Sequence, residues 1–265
     1  MPSLQAALVK KALSIRPHAW ANGSIEQQRA QQDKSARYFP VPRGLQLQQV
    51  QINKLSGEWL AGANTEDGAI LYLHGGAYAL GSVASHRELL ARLAFSTRRK
   101  ILAIDYRLAP EHPFPAALED TIAAYRWLLA QGFDPAHVAI AGDSAGGGLA
   151  LAALAALRDA GDPLPGHALC FSPWVDLSLS GASVQDNANA DPILNAALLE
   201  RFAGYYAGQQ AINAPLISPL FADLRGLPPI LVQVGGDEIL LDDAVRLAEA
   251  VRNSGGTIQL NVFPG

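Results

Sequence analysis

The sequence predicts an α/β protein with a mostly parallel central sheet flanked by helices. Three observations lead to this expectation. From residue 69 onward, short and almost wholly apolar runs alternate with longer segments of helical periodicity, a pattern typical of parallel strands that helices cover on both faces. Glycines follow the helical segments, as in AQG and DAG, where helix C-termini favour them. A length of 265 residues suits one such core with a small accessory part.

Each predicted strand is a recognisable run. The first two, LQLQQVQI at 45–52 and the following KLSGEWL, are expected to pair, because the first alternates apolar and polar residues like a half-buried strand. The buried strands that follow are AILYLH, KILAIDY, HVAIAGD, HALCFSP, ILVQVGG and TIQLNVF. The helical segments between and after them are HRELLARLAFS, ALEDTIAAYRWLLAQG, GGLALAALAALRDAG and LLDDAVRLAEAVRNSGG.

Two further segments are predicted to form a small helical cap. Residues 179–215 are too long for a simple crossover. They contain a helix with one apolar face, formed by Leu198, Phe202 and Tyr205 or Tyr206. An N-terminal helix has the same spacing, at Leu4, Leu8, Ala12 and Ile15. We expect these segments to meet, giving a cap of residues 1–40 and 179–215 on a core of residues 41–178 and 216–265.

Composition and charge argue against several classes of function. A chain that is 49% hydrophobic and 17% charged is not disordered, and no apolar run approaches the length of about 18 residues that a membrane span needs. A net charge of −4 without a basic cluster disfavours nucleic acid and anionic lipid as partners. Cys170 is the single cysteine, and the N-terminus is a poor secretory signal. We therefore expect a cytoplasmic protein with neither a nucleic-acid nor a membrane partner.

The segment GDSAG, Gly142 to Gly146, lies between a predicted strand and a predicted helix. In that setting G-x-S-x-G forms a nucleophile elbow, which holds the serine in a strained conformation at the apex of the turn. The helix that begins there directs its first N–H groups at the charge developing on a substrate. Ser144 is therefore a candidate nucleophile, and a serine in a plain turn is the alternative.

A second glycine-rich segment, HGGA at 74–77, begins at the last residue of the run AILYLH. Acyl transfer needs converging N–H donors, one from the residue after the nucleophile and others from a loop after an earlier strand. The candidates for this oxyanion hole are Gly76, Ala77 and Ala145. His74 and Gly75 are expected to support the loop, with His74 in a structural role. A turn or a phosphate loop is the alternative, but no G-K-[ST] follows and no G-x-G-x-x-G can be drawn.

A carboxylate after a later strand would complete this constellation. Asp237 follows ILVQVGG directly and is the best candidate for orienting a catalytic histidine. Glu238 is adjacent to it. Asp242 and Asp243 suit the first turn of the next helix, where acids complement the helix dipole, and Asp143 is interpreted as a turn residue.

Taken together, these segments resemble the hormone-sensitive lipase-like serine esterases (bacterial family IV) of the α/β-hydrolase superfamily. The similar stretches, in the family's order, are HGGAYALGS, DYRLAPEHPFPAALED, GDSAGGGLA, SPWVDLS and GGDEILLDDA. The resemblance implies an α/β-hydrolase fold and cofactor-free hydrolysis of a small-molecule carboxylic ester, with Ser144 as nucleophile and Asp237 as acid. Arg107 and Glu111 are expected to hold their loop in place and to take no part in the chemistry. Ala77 replaces the family's third glycine, a mild departure because the backbone N–H acts.

The catalytic histidine of the family lies in the loop after the last strand, whereas this sequence ends just after TIQLNVF, at Gly265. We expect this base beyond Gly265 in a longer chain, because a triad without it would be nearly inactive. The histidines within the sequence are expected to be structural or exposed, and none stands in a zinc-ligand spacing: His18, His74, His86, His112, His137 and His167. A chain ending there would also expose one face to association, with a homodimer as the candidate assembly.

Two alternatives stay open for the function. A non-catalytic ligand-binding protein on the same scaffold, as in the plant gibberellin receptors, would also resemble this family without its histidine, although the intact Ser144 and Asp237 argue against it. A lactonase or amidase would use the same triad. For an esterase, the modest cap favours short to medium acyl chains.

Overall fold

The computed structural model describes residues 13, 23–36 and 38–264. Within them, eight strands form one sheet in the order β1-β2-β4-β3-β5-β6-β7-β8. Their bounds are β1 Gln46–Ile52, β2 Leu55–Ala61, β3 Ala69–Leu73, β4 Lys100–Ile104, β5 Val138–Asp143, β6 His167–Phe171, β7 Ile230–Gly235 and β8 Ile258–Phe263. The predicted α/β class and every predicted strand are confirmed.

Strand direction places two of the predicted loops side by side. β1 and β2 are antiparallel, as predicted, and β2 is also antiparallel to β4. The remaining neighbours are parallel, since each connection between them is a crossover. In the central pair, Leu73 of β3 lies opposite Gly142 of β5. The HGGA loop, defined here as residues 74–82, therefore leaves the sheet beside the GDSAG turn.

Most of the helices occupy predicted segments, whereas the helices at Ile25–Ala36 and Ser183–Asp186 were not predicted. They are α1 Ile25–Ala36, α2 Val83–Thr97, α3 Ala116–Ala130, α4 Ala145–Asp159, α5 Ser183–Asp186, α6 Ala196–Ala207 and α7 Leu241–Asn253, with short 3-10 turns at Pro135–His137 and Pro219–Phe221. Gly132 and Gly161 follow α3 and α4 at φ of +90° and +74°. This left-handed conformation is the one that glycine provides beyond a helix C-terminus, so the two predicted ends are confirmed.

Helix α4 is buried almost all round, because its residues are small enough to let neighbouring backbone approach. A Cβ on Gly148 would come within 2.1 Å of the Trp174 carbonyl oxygen, and one on Gly147 within 2.8 Å of Pro173 Cβ. The start of α4 is thus held tightly against the chain that follows β6. This packing fixes the position of the residue that precedes the helix, Ser144.

Strand β8 is partly exposed, whereas the sequence predicted a strand buried on both faces. It lies at the edge of the sheet, paired with β7, and α7 packs against it. Val262 and Phe263 are 48% and 53% exposed. An apolar run cannot reveal that its strand is an edge strand, because that depends on the order of strands in the sheet.

The predicted helix of residues 179–215 is present as α6. It buries Phe202 and Tyr206 but leaves Leu198 and Tyr205 half-buried. Of the N-terminal region, α1 packs against α2. The predicted helical face of Leu4, Leu8, Ala12 and Ile15 lies outside the described residues. The division into core and cap stays a prediction.

Candidate active site

Ser144 occupies a strained position between β5 and α4. Its φ is +52° and its ψ −120°, a region that residues other than glycine adopt only when their surroundings hold them there. Its amide donates to the Phe171 carbonyl at 2.8 Å, and its own carbonyl accepts from the amides of Gly147, Gly148 and Trp174. These four hydrogen bonds hold the strained turn that a nucleophile elbow requires.

The glycines on either side of Ser144 are required by space. A Cβ on Gly142 would lie 2.4 Å from the Gly146 carbonyl oxygen, and one on Gly146 would lie 2.0 Å from the Leu73 carbonyl oxygen. No side chain fits at such distances without moving backbone. The G-x-S-x-G spacing thus lets the elbow lie directly against the end of β3.

The HGGA loop presents backbone donors beside the elbow. Gly76, Ala77 and Tyr78 have φ of +124°, +52° and +60°, so the loop coils tightly. Among the described residues, no protein acceptor partners the amides of Gly76, Ala77 and Ala145. Unpaired N–H groups next to a nucleophile are the requirement for stabilising an oxyanion. The structure brings these three candidates to the same edge of the sheet as Ser144.

Asp143 ties the HGGA loop to the elbow. Its Oδ1 accepts from the amide of Gly75 at 2.9 Å and from the hydroxyl of Tyr72 at 2.8 Å, and its Oδ2 lies 3.3 Å from His86 Nε2. The interpretation of Asp143 as a turn residue missed this role. The sequence held a signal, a carboxylate at the end of the elbow strand, but its partners depend on the register between β3 and β5.

Asp143 and His86 form an ion pair. Burial alone would raise the pKa of Asp143, but His86 and the Tyr72 hydroxyl lower it overall. Burial alone would lower the pKa of His86, but the Asp143 carboxylate and the Ser82 carbonyl raise it overall. Each partner therefore favours the charged form of the other.

The described histidines are unsuited to be the base of Ser144. His86 has both ring nitrogens engaged, Nε2 by Asp143 and Nδ1 by the Ser82 carbonyl and the Ser85 hydroxyl. His74 is buried, and its Nδ1 lies 2.8 Å from the Gly75 carbonyl oxygen. His112, His137 and His167 are exposed, and His18 lies outside the described residues.

His74 packs inside the HGGA loop. Its ring stacks on Tyr106 at 4.3 Å, and the Tyr106 hydroxyl donates to the His74 carbonyl at 2.7 Å. Burial, followed by the nearby His86, lowers the pKa of His74 to about 3, so the ring is neutral at physiological pH. These contacts suit a supporting residue, which stays a prediction for His74 and Gly75.

The acid segment follows β7. Glu238 turns inward, where its Oε1 accepts from the Ser172 hydroxyl at 2.8 Å and the Gly235 amide at 2.7 Å, and burial raises its pKa. Asp237 beside it is half-buried. The amide of Gly236 donates to the Phe263 carbonyl at 2.7 Å, so the end of β8 lies next to Asp237.

Asp242 and Asp243 lie in the first turn of α7, as predicted. Asp243 is more than a surface acid, because its buried Oδ2 accepts from the amides of Val175 and Asp176 at 2.8 and 2.9 Å. Burial raises its pKa to about 7. The residue ties the chain after β6 to α7, which the sequence pattern did not predict.

The segment YRLAPEHPFP is held by ion pairs, consistent with a structural reading. Arg107 bonds to Asp120 and Glu119 of α3. Glu111 receives two hydrogen bonds from Arg29 of α1 at 2.9 and 2.8 Å. The segment therefore connects α3 to α1.

Comparison with known proteins decides the family. A family model described as the alpha/beta hydrolase fold matches residues 70–265. This chain belongs to the α/β-hydrolase family. Among its relatives, an "Acetyl-hydrolase" of Streptomyces hygroscopicus is 44% identical over 100% of this chain and 88% of the relative. An "Esterase" of Acinetobacter venetianus is 36% identical over 88% of this chain and 77% of the relative.

Solved structures narrow the family further. The crystal structure of an esterase from the bacterial hormone-sensitive lipase family is 43% identical, with a TM-score of 0.95 over 100% of this chain and 89% of that one. The structure of EstE5 soaked with p-nitrophenyl butyrate is 39% identical, with a TM-score of 0.94 over 99% and 89%. This α/β hydrolase is thus a hormone-sensitive lipase-like esterase, and the predicted fold is confirmed.

No described helix has the length and apolar character needed to cross a membrane. In the same residues, no cluster of three or more histidine, cysteine, aspartate or glutamate side chains is arranged to hold a metal ion.

Proposed function

We propose that Ser144 is the nucleophile of carboxylic-ester hydrolysis through an acyl-enzyme intermediate. The observation that carries the proposal is the strained Ser144 at φ +52°, held between β5 and α4 with unpaired amides beside it. A serine oxygen attacks the ester carbonyl carbon, the alcohol leaves, and water then releases the acid.

The amides of Gly76, Ala77 and Ala145 are proposed to bind the oxyanion of each tetrahedral intermediate. They come from the two loops that Asp143 joins. Ala145 also opens α4, so its N–H adds the positive end of the helix dipole. Removing a single oxyanion donor typically slows turnover about 100- to 1,000-fold.

The general base is proposed to be a histidine that follows β8, beyond Gly265, oriented by Asp237. It takes the proton of Ser144 and gives it to the leaving alcohol. The hydrogen bond between Gly236 and Phe263 supports this placement, because it leads the chain after β8 toward Asp237. The engaged nitrogens of His86 and the burial of His74 support it as well.

Substrates are proposed to be small esters with short to medium acyl chains. The name "Acetyl-hydrolase" of the Streptomyces relative supports a short acyl group. We also propose a cytoplasmic location, for which the single, buried Cys170 is the support, and no nucleic-acid partner. A homodimer is the proposed assembly.

The test compares Ser144→Ala with Ser96→Ala in p-nitrophenyl ester hydrolysis by the full-length chain. Ser96 is an exposed serine on α2 that bonds its own helix, so its variant should keep full activity. Ser144→Ala should lose activity by a factor of roughly 1,000 or more, and a fluorophosphonate should label the parent and not this variant. Hydrolysis retained in Ser144→Ala would overturn the proposal. A p-nitrophenyl acyl series tests the chain-length preference.

A further inference from the structure

We propose that Arg29, Gln32 and Asp33 of α1 are positioning residues that hold the HGGA loop from outside the site. In this proposal, α1 sets the geometry of the oxyanion donors, and therefore the rate of turnover, without touching substrate. The inference rests on the proposed role of Gly76 and Ala77 in the oxyanion hole.

Arg29 binds the loop through its guanidinium. Its Nε donates to the Ala79 carbonyl at 2.8 Å, and its Nη2 donates to the Ala109 carbonyl at 2.9 Å. The same group forms a two-pronged bond to the Glu111 carboxylate. The planar fork of arginine can serve three acceptors at fixed angles, which lysine cannot. Arg29 thus joins the HGGA loop to the segment that follows β4.

Gln32 and Asp33 extend this contact along the loop. Gln32 Oε1 accepts from the Gly81 amide at 3.0 Å, and Asp33 Oδ1 accepts from the Ser82 hydroxyl at 2.5 Å. Positions 29, 32 and 33 lie on one face of a helix. That face meets the loop at consecutive points from Ala79 to Ser82.

The attachment of α1 is mostly polar. Gln28 is its one fully buried residue, and the described bonds from α1 to the HGGA loop come from the three side chains above. Hydrogen bonds specify position more narrowly than apolar burial, which has no direction. A helix attached in this way suits positioning better than it suits core stability.

The contacts of α1 reach the oxyanion donors through two short links. The amides of Ala79 and Leu80 both donate to the Gly76 carbonyl, at 3.0 and 2.8 Å. Gly81 is so close to Gly75 that a Cβ would lie 2.2 Å from the Gly75 carbonyl oxygen. Residues 79–82 and 75–76 are therefore coupled, and because the Gly76 carbonyl and the Ala77 N–H belong to one planar peptide unit, a shift of Ala79 changes the direction of the Ala77 amide.

Other parts of the protein hold the same loop elsewhere. Asp143 holds Gly75, and the ring of Tyr206 in α6 stacks on that of Tyr78 at 3.6 Å. Neither contact involves Ala79 or Gly81, the residues that Arg29 and Gln32 bind, whereas Ser82 is also held by Ser85 and His86 of α2. Loss of the α1 contacts should therefore misalign the loop without unfolding the core.

The experiment compares Arg29→Met, Arg29→Lys and Gln32→Met with the control Arg225→Met in the full-length enzyme. Arg225 is exposed, and among the described residues its side chain pairs only with Asp223, so its loss should leave kcat and KM unchanged. We expect kcat of Arg29→Met to fall about tenfold, since a misaligned donor costs less than a deleted one, with KM within about threefold of the parent. Arg29→Lys and Gln32→Met should fall less.

A second readout isolates the oxyanion. A trifluoromethyl ketone forms a tetrahedral adduct with an active-site serine, and its affinity should weaken by the same factor as kcat/KM. A purely structural role would lower the unfolding temperature without this match. If Arg29→Met does not fold, as judged by near-UV circular dichroism, Gln32→Met and Arg29→Lys decide.

The outcomes separate the two proposals. Unchanged kcat in folded Arg29→Met and Gln32→Met, or a rise in KM alone, would overturn the role of α1 while an inactive Ser144→Ala still supports the esterase mechanism. Activity retained in Ser144→Ala would instead refute the mechanism itself. A matched fall in kcat and in trifluoromethyl ketone affinity supports both.

Discussion

Replacing Asp143 with asparagine should destabilise the protein in acid much more than in alkali. The substitution keeps the shape of the side chain and removes its charge. Gly75 and Tyr72 both donate to the same oxygen, Oδ1, and the asparagine oxygen can accept both bonds. Only Oδ2, which faces His86 Nε2 at 3.3 Å, becomes an NH₂ group. The loss is therefore confined to the pair with His86.

The size of the effect follows from the charge of His86. The pKa of His86 is raised above its ordinary 6.5, and that of Asp143 is lowered below its ordinary 3.8. Stability from His86 is present below pH 6.5 and lost as the pH rises through its raised pKa. Stability from Asp143 is present above pH 3.8 and lost as the pH falls through its lowered pKa. Between these limits, the charged pair contributes fully.

We expect Asp143→Asn to cost about 2 kcal/mol near pH 5.5, within the range for hydrogen bonds to charged groups. The side chains of His86 and Asp143 are 17% and 24% exposed, which keeps the cost below that of a fully buried pair. Near pH 8.5 a neutral His86 can accept from the new NH₂ group, and the cost should fall below about 1 kcal/mol. His74, with a pKa of about 3, stays neutral throughout.

The assay is urea unfolding followed by tryptophan fluorescence at both pH values. Asp143→Ala is the comparison, because it leaves the Gly75 amide and the Tyr72 hydroxyl without their acceptor at any pH. Because both variants lose the pair with His86, the cost of Asp143→Ala should exceed that of Asp143→Asn by about 3 kcal/mol at both pH values. If the cost of Asp143→Asn were equal at the two pH values, or larger in alkali, the ion pair would not have the role assigned to it.

Two further predictions concern packing and burial. Gly146→Ala places a Cβ 2.0 Å from the Leu73 carbonyl oxygen and should cost at least about 3 kcal/mol of stability. Gly204→Ala in α6 should instead stabilise the protein by about 0.5–1 kcal/mol, because a Cβ there would have no atom within 4 Å outside its own helix backbone and chain neighbours. Thermal melts that rank the two variants otherwise would contradict the packing argument. The pKa of Asp243 is raised to about 7, so the free energy of unfolding of the parent falls as the pH rises from about 5 to 8. The free energy of unfolding of Asp243→Asn, measured relative to the parent, should therefore rise by about 2–3 kcal/mol over that range. A flat difference would place the carboxylate in water.

The strands and most of the helices were predictable because the signal for each is local. The apolar run AILYLH contains the buried strand β3, and the GDSAG turn is recognised from its own spacing. The exposure of β8 was not predictable in this way. It depends on which strand ends the sheet, and no property of TIQLNVF reports that.

In the candidate site, too, residues in local motifs were predicted, whereas contacts that depend on the fold were not. Ser144, Gly76, Ala77 and Asp237 were predicted as candidates from short motifs, and their roles stay predictions. The partners of Asp143 were missed because they depend on strand register. The contacts of Arg29 lie on a helix whose sequence has no motif, so only the fold brings them to the loop.

The pairing of β3 with β5 also has a consequence for folding. Gly75 and Asp143 are 68 residues apart in the sequence, and their contact forms only after Leu73 and Gly142 have found each other across the sheet. Closing so long a loop is slow compared with forming a helix or a hairpin. The elbow and its donors therefore assemble late, and a refolding chain should regain its secondary structure before it regains any reactive serine.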